Sequence, residues 1–299
     1  MTALLYMMVV LIWGTTYYAI VLQLGEVPVL QSVFYRFVLA AVLMWMIVLL
    51  RKSRLRFGRD MHILFAIFGL LQFSLNYLVV YLATSYLVSG LVSVIFSLMV
   101  IFNTIFAWLF FREKPTVALV IGGAFGMLGL IALFYEDING LSLDSMVIYG
   151  IALSLLSTLM ASSGNTMMQL LKLRGMDVVT CNCWGMTYGT LYLLAAILMT
   201  GESWQFSFEV NYIVSLLYLS LAGTVIAFWA YMTLIHRIGA PRAAYIAVMF
   251  PLVAVLMSTL YEDMEWTVSK FLGVGFIIAG NLFIIQRKQS TNSRTLPTQ

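Results

Sequence analysis

Ten stretches of this chain are apolar over about 20 residues each, the length an α-helix needs to cross the hydrocarbon of a bilayer. They run over 3–22, 28–50, 62–84, 89–111, 117–135, 146–171, 178–200, 210–234, 241–261 and 267–286. A transmembrane β-barrel would instead alternate apolar and polar residues in segments of about ten. From Phe37 to Leu50 every residue is apolar, so helices are expected. Composition points the same way: 63% of the 299 residues are apolar and 9% charged, against about 45–50% and 25% in soluble domains. A globule of this size has too little interior to hide that surface from water. The expectation is an all-α polytopic membrane protein with the lipid bilayer as solvent. An ordinary soluble enzyme, a disordered chain and a nucleic-acid-binding module are excluded, and no nucleic acid partner is expected. The 2 cysteines do not make a disulfide framework. The first span follows Met1-Thr2 without a basic leader or a small-residue cleavage site, and reads as a retained helix.

Charge orients the spans. With the N-terminus in the cytoplasm, 14 of the 16 basic residues fall on the cytoplasmic side, from Arg51, Lys52, Arg54, Arg56 and Arg59 to Arg287, Lys288 and Arg294. Lys270 lies outside and Arg36 within a span. Nine of the 12 acids, among them Glu202, Glu209 and Glu262, fall outside. Positive-inside bias in short loops then predicts a multi-pass inner-membrane protein with both termini cytoplasmic. Trp204 and Trp266 fall at the outer boundary, where an indole anchors well.

Ten spans divide into five and five, and an odd number forces a second half of the same plan to lie upside down. Gly90 and Glu113 are 23 positions apart, as are Gly239 and Glu262. Thr116, Gly122 and Gly129 match Thr267, Gly273 and Gly280 at a constant offset of 151. Two inverted five-helix repeats are expected, 1–137 and 145–287, followed by an unstructured cytoplasmic tail at 288–299. Such repeats place a ligand site near the midplane between the halves.

Ile12-Trp13-Gly14, Pro28 followed by Arg36-Phe37 and Ala40, the segment ending Phe111-Arg112-Glu113, and its echo through Pro251 to Glu262 occur in this order. In these features the chain, over about residues 1–287, resembles the EamA-like family of the drug/metabolite transporter superfamily. Phe102 stands where that family often has a proline in the fourth span, which removes the proline signal for a kink from the first half. The resemblance implies a ten-helix carrier of small organic solutes, commonly an exporter of amino acids or related metabolites. An importer of a flat vitamin- or nucleotide-like solute, and a receptor or scaffold, are the alternatives.

Polar and aromatic groups inside spans mark the expected solute path, because lipid-facing positions gain nothing from them. Gln72 and Asn76 are four apart on one helix face, with Tyr77 and Tyr81 as a neighbouring stripe. Trp13 and Tyr17, also four apart, offer an aromatic wall far from either headgroup belt. Ser97, Asn165, Trp229 and Tyr245 complete the candidates. Each has a plainer reading as a helix–helix contact. Arg36 lies about eight residues, or ~12 Å, into its span with no acid at that depth. It either ties helix ends together or meets an anionic group of a small-molecule substrate. No carboxylate is central in any span, which disfavours direct proton coupling through one. Cys181 and Cys183 read as buried thiols rather than a metal site. No phosphate loop, nucleophile elbow or zinc signature occurs. No cofactor and no enzymatic activity are expected, and oligomeric state is unspecified.

Overall fold

The structure, a computed structural model, describes residues 2–25, 27–112, 117–135, 145–238 and 246–294. Among these residues it is all-helical, with no strand. In chain order the helices are α1 (Thr2–Val21), α2 (Val29–Leu50), α3 (Arg59–Thr84), α4 (Ser89–Phe111) and α5 (Val117–Leu133). They continue with α6 (Ser145–Leu173), α7 (Val178–Thr200), α8 (Val210–Ser220 running through Leu221–Ile226 into Ala227–Ile238), α9 (Ile246–Tyr261) and α10 (Val268–Arg294). Seven are long and apolar enough to span a bilayer: α1 to α4 and α6 to α8. The other three expected spans fall on shorter apolar stretches, Val120–Leu133, Ile246–Tyr261 and Val268–Phe283.

Polarity is distributed as lipid requires. The outside presents large apolar side chains such as Leu50, Val120, Leu221 and Phe271, while Gln31, Ser32, Arg36, Asn76, Asn182 and Asn281 are buried. A soluble protein does the reverse. Between membrane helices the attraction comes from close van der Waals approach and hydrogen bonds, so small residues sit where backbones touch. A Cβ on Gly14 would lie 2.8 Å from the Phe250 carbonyl oxygen, and one on Gly90 2.8 Å from Val255 Cα, so α1 and α4 both lie directly against α9. Gly122, Gly129, Gly273 and Gly280 meet one another in the α5–α10 crossing: a Cβ on Gly273 would stand 2.8 Å from the Gly129 oxygen, and one on Gly280 2.6 Å from the Gly122 oxygen.

Helix ends have local causes. Pro28 precedes the first turn of α2, where its missing N–H costs nothing. Gly201 closes α7 at φ +65°, a left-handed conformation that glycine adopts without penalty. Asp177 caps α7, its Oδ1 accepting the Thr180 N–H at 3.0 Å. Asp177→Ala is expected to cost about 1 kcal/mol, read as a lower unfolding midpoint of the purified protein. At the other end of the chain, α10 continues to Arg294, beyond the point where an unstructured tail is expected. Residues 287–294 contain neither glycine nor proline, and Arg, Lys and Gln are good helix formers.

Three helices depart from α geometry. α3 carries a π-helical turn at Leu70–Leu75 and α8 one at Leu221–Ile226. Their starts are 221 − 70 = 151 residues apart, the offset of the matched threonines and glycines. α4 breaks between Phe96 and Met99 with no proline present. The break is held from outside: Asn281 on α10 donates to the Ser97 carbonyl at 3.1 Å and to its Oγ at 3.0 Å.

Candidate functional site

A cavity of about 180 Å³ lies among α1, α2, α3, α4, α6, α8 and α9. An engineered cavity of about 150 Å³ takes up a benzene molecule, so this is room for one small solute. Seven of the residues expected along a solute path line it: Trp13, Tyr17, Arg36, Gln72, Asn76, Tyr77 and Asn165. One wall is aromatic. Trp13 packs its ring against Tyr231 (centroids 5.1 Å apart) and Phe228 (5.7 Å), while Tyr17 stacks on Phe250 at 5.8 Å, nearly parallel.

The polar wall comes from α2 and α3, with Gly223 of the second π turn beside them. A π turn inserts an extra residue and leaves backbone groups imperfectly paired, which is why such turns recur at functional sites. Gln72 lies in the first and Gly223 and Thr224 in the second. The Gln72 side chain lies over Gly164 of α6, where a Cβ would approach Gln72 Cβ to 2.9 Å. Gln72 Oε1 and Asn76 Oδ1 are buried and make no hydrogen bond within the protein. Asn76 Nδ2 reaches only the Gln72 carbonyl, at 3.5 Å. Asn165 stands at the exposed edge, donating to Met99 Sδ and Asn103 Oδ1.

Arg36 is 2% exposed. Its guanidinium lies 4.5 Å from the Tyr77 ring centroid and 5.6 Å from that of Phe37. Nη1 reaches Tyr81 Oη at 3.5 Å and Nη2 reaches Thr224 Oγ1 at 3.4 Å, both at the outer limit for a hydrogen bond. Nε has no partner. Ser220 Oγ donates to the Arg36 carbonyl at 3.1 Å, fixing α8 against α2 at this level.

The remaining candidates are placed elsewhere. Tyr81 is fully buried behind the cavity wall and donates to Gln23 Oε1 at 2.8 Å, supporting Arg36 rather than facing the space. Ser97 serves the α4 break. Trp229 is 52% exposed on the outside of α8 and does not reach the cavity, whereas its neighbours Phe228 and Tyr231 do. Tyr245 lies outside the described residues. Thr16, Gly223 and Phe250 line the cavity without having been singled out from sequence. Cys181 and Cys183 are buried free thiols. Among the described residues no cluster of three His, Cys, Asp or Glu side chains is positioned to hold a metal.

The EamA-like transporter family profile matches residues 1–135 and 148–286. The chain belongs to this family. It is thus a multi-pass membrane protein of a transporter family, with nearly its whole length inside the match. The uncharacterized transporter YoaV of Bacillus subtilis is 24% identical over 287 residues, covering 94% of this chain and 96% of that protein. A probable amino-acid metabolite efflux pump of Escherichia coli is 23% identical over 283 residues, covering 92% and 91%. Among solved structures, one crystal structure superposes with a TM-score of 0.64 at 15% identity, covering 95% of this chain and 96% of the other. At that identity the likeness is one of fold. In this family setting, polar groups buried midway along apolar helices and facing a cavity are the feature a solute path requires.

Proposed function

We propose that this EamA-family protein is a secondary carrier that exports small organic metabolites, foremost amino acids and related compounds, by alternating access across the inner membrane. Both termini lie in the cytoplasm. Ten spans form two inverted repeats, 1–137 and 145–287, with 288–299 at the cytoplasmic end. The observation that carries the reading is the cavity itself, in which Arg36, Gln72 and Asn76 from the first half face Gly223, Tyr231 and Phe250 from the second.

The repeat reading is supported by the π turns at an offset of 151 and by reciprocal packing. α1 packs on α8 and α9, and α6, its counterpart, packs on α3 and α4. α2 pairs with its counterpart α7, and α5 with α10. One backbone plan used twice in opposite senses gives a carrier two nearly equivalent packings, each open to one side. The likeness to a probable amino-acid metabolite efflux pump of Escherichia coli supports amino-acid-like solutes and outward movement.

Counterflow in proteoliposomes with a panel of amino acids and flat-ring solutes tests the reading. Uptake of at least one solute above protein-free vesicles is expected, and failure of the whole panel would reject it. Trp13→Ala and Asn76→Ala are each expected to lower that uptake by about tenfold, the worth of one lost aromatic contact or buried hydrogen bond, with membrane insertion unchanged. Full activity in both variants would move the path away from this cavity.

A further inference from the structure

We propose that Arg36 is the carboxylate receptor of the cavity and that Gln72 and Asn76 receive N–H groups of the same solute. The carried molecule is then a small carboxylic acid that also bears an amine or amide donor. This rests on the carrier reading and adds which side chains recognise the carboxylate and the N–H groups of its cargo.

The case begins with an unbalanced charge. A guanidinium has five N–H donors and stays ionised. Only two donor nitrogens of Arg36 find partners, both neutral hydroxyls at 3.4–3.5 Å, and Nε finds none. Among the described residues no carboxylate bonds it. Glu262, just beyond the helix that carries the lining residue Phe250, spends both oxygens on Ser89 and Ser258. A buried cation without an anion is costly, and a guanidinium fork matches a carboxylate.

The surroundings keep the fork available. Tyr77 supports the guanidinium face at 4.5 Å, and the edge donors are held only by neutral hydroxyls at 3.4–3.5 Å. A Cβ at position 223 would lie 3.7 Å from Nη2 and 2.7 Å from Thr16 Cγ2, so glycine there lets α8 approach both residues closely. The rest of the lining is complementary. Gln72 Oε1 and Asn76 Oδ1 are acceptors without donors. The Trp13 and Tyr17 rings offer π faces, which tolerate an ammonium as well as an apolar side chain. Among the described residues, Arg36 is the only Lys or Arg on the cavity wall. Arg36 pairs with the carboxylate of such a solute, while its ammonium is met by Gln72 Oε1, Asn76 Oδ1 and the aromatic faces.

The test is calorimetric titration of the purified full chain with L-leucine, L-methionine and L-phenylalanine and with their primary amides. Each pair shares the amine and side chain and differs only in the carboxylate. Acids are expected to bind at least ~10-fold more tightly than amides, the lower end of what a charge-assisted hydrogen bond provides. In Arg36→Gln the ratio is expected to fall to about one. The wild-type ratio requires no variant to fold. Equal binding of acid and amide, a preference that survives in Arg36→Gln, or no binding of any acid would each overturn the proposal. Proteoliposome flux separates it from the carrier reading: flux of acid and amide alike rejects the carboxylate receptor and leaves the carrier, whereas acid-selective binding without flux rejects the carrier and leaves the receptor.

Discussion

Gly273→Leu is expected to keep α5 and α10 apart and to abolish recovery of folded, monodisperse protein. A Cβ at this position would fall 2.6 Å from the Leu133 nitrogen, 2.7 Å from Leu133 Cα and 2.8 Å from the Gly129 oxygen. All three are backbone atoms, so no rotamer change relieves the clash, and the helices must separate. Across a helix–helix seam in lipid, separation forfeits the dispersion contacts that hold the pair, because no hydrophobic effect compensates. Even Gly273→Ala is expected to cost about 1–3 kcal/mol. Gly275 is the control, two residues away on the same helix. A Cβ there meets nothing within 4 Å. Gly275→Ala is therefore expected to be neutral or to stabilise the helix by about 0.5–1 kcal/mol. Size-exclusion profiles and thermal unfolding midpoints of the three variants check this. Equal behaviour of Gly273→Ala and Gly275→Ala would show that the crossing is not tight.

Those glycines illustrate what the sequence makes legible. Their spacing marks Gly122, Gly129, Gly273 and Gly280 as counterparts, and in the structure the same four form the contact between α5 and α10. The helices are legible because lipid demands long apolar runs. Arg36, Gln72, Asn76 and Tyr77 are legible because a polar side chain within such a run must face inward. The exposed position of Trp229 has a different cause. The π turn at Leu221–Ile226 holds an extra residue, which rotates everything after it by about 100° relative to a regular helix. Phe228 and Tyr231 then face the cavity and Trp229 faces outward. LAGTVI reads as ordinary apolar helix, and nothing in its composition announces the turn. The α4 break is hidden for a related reason. Its stabiliser, Asn281, is 184 residues away in sequence and donates to Ser97 from another helix.

Glu262→Ala is expected to loosen the end of the bundle where α4 starts and α9 finishes and to raise the access of membrane-impermeant reagents to the cavity. In the structure the Glu262 carboxylate, carried just beyond α9, holds the first turn of α4. It accepts the Ser89 N–H at 2.9 Å, the Ser89 hydroxyl, and the Ser258 hydroxyl at 2.6 Å. Ser258 Oγ in turn accepts the Gly90 N–H at 2.7 Å. An anion here caps the α4 N-terminus from a different helix, satisfying N–H groups with no partner inside α4. Removing it leaves the Ser89 N–H and hydroxyl without their charged acceptor, at a cost of about 1.5–3 kcal/mol. If outward opening requires this contact to break, that energy favours the open form by roughly 10- to 150-fold in population. Glu262→Gln separates shape from charge. Its amide oxygen still accepts the Ser89 N–H and its NH2 donates to the two hydroxyls, so the effect is expected to be several-fold smaller. The readout is the labelling rate of a cysteine introduced at Ile20, which lines the cavity, by a membrane-impermeant thiol reagent. Cys181 and Cys183 are buried and contribute little background. An unchanged rate in Glu262→Ala would mean that the contact between α4 and α9 braces the fold in every state and is not released during the transport cycle.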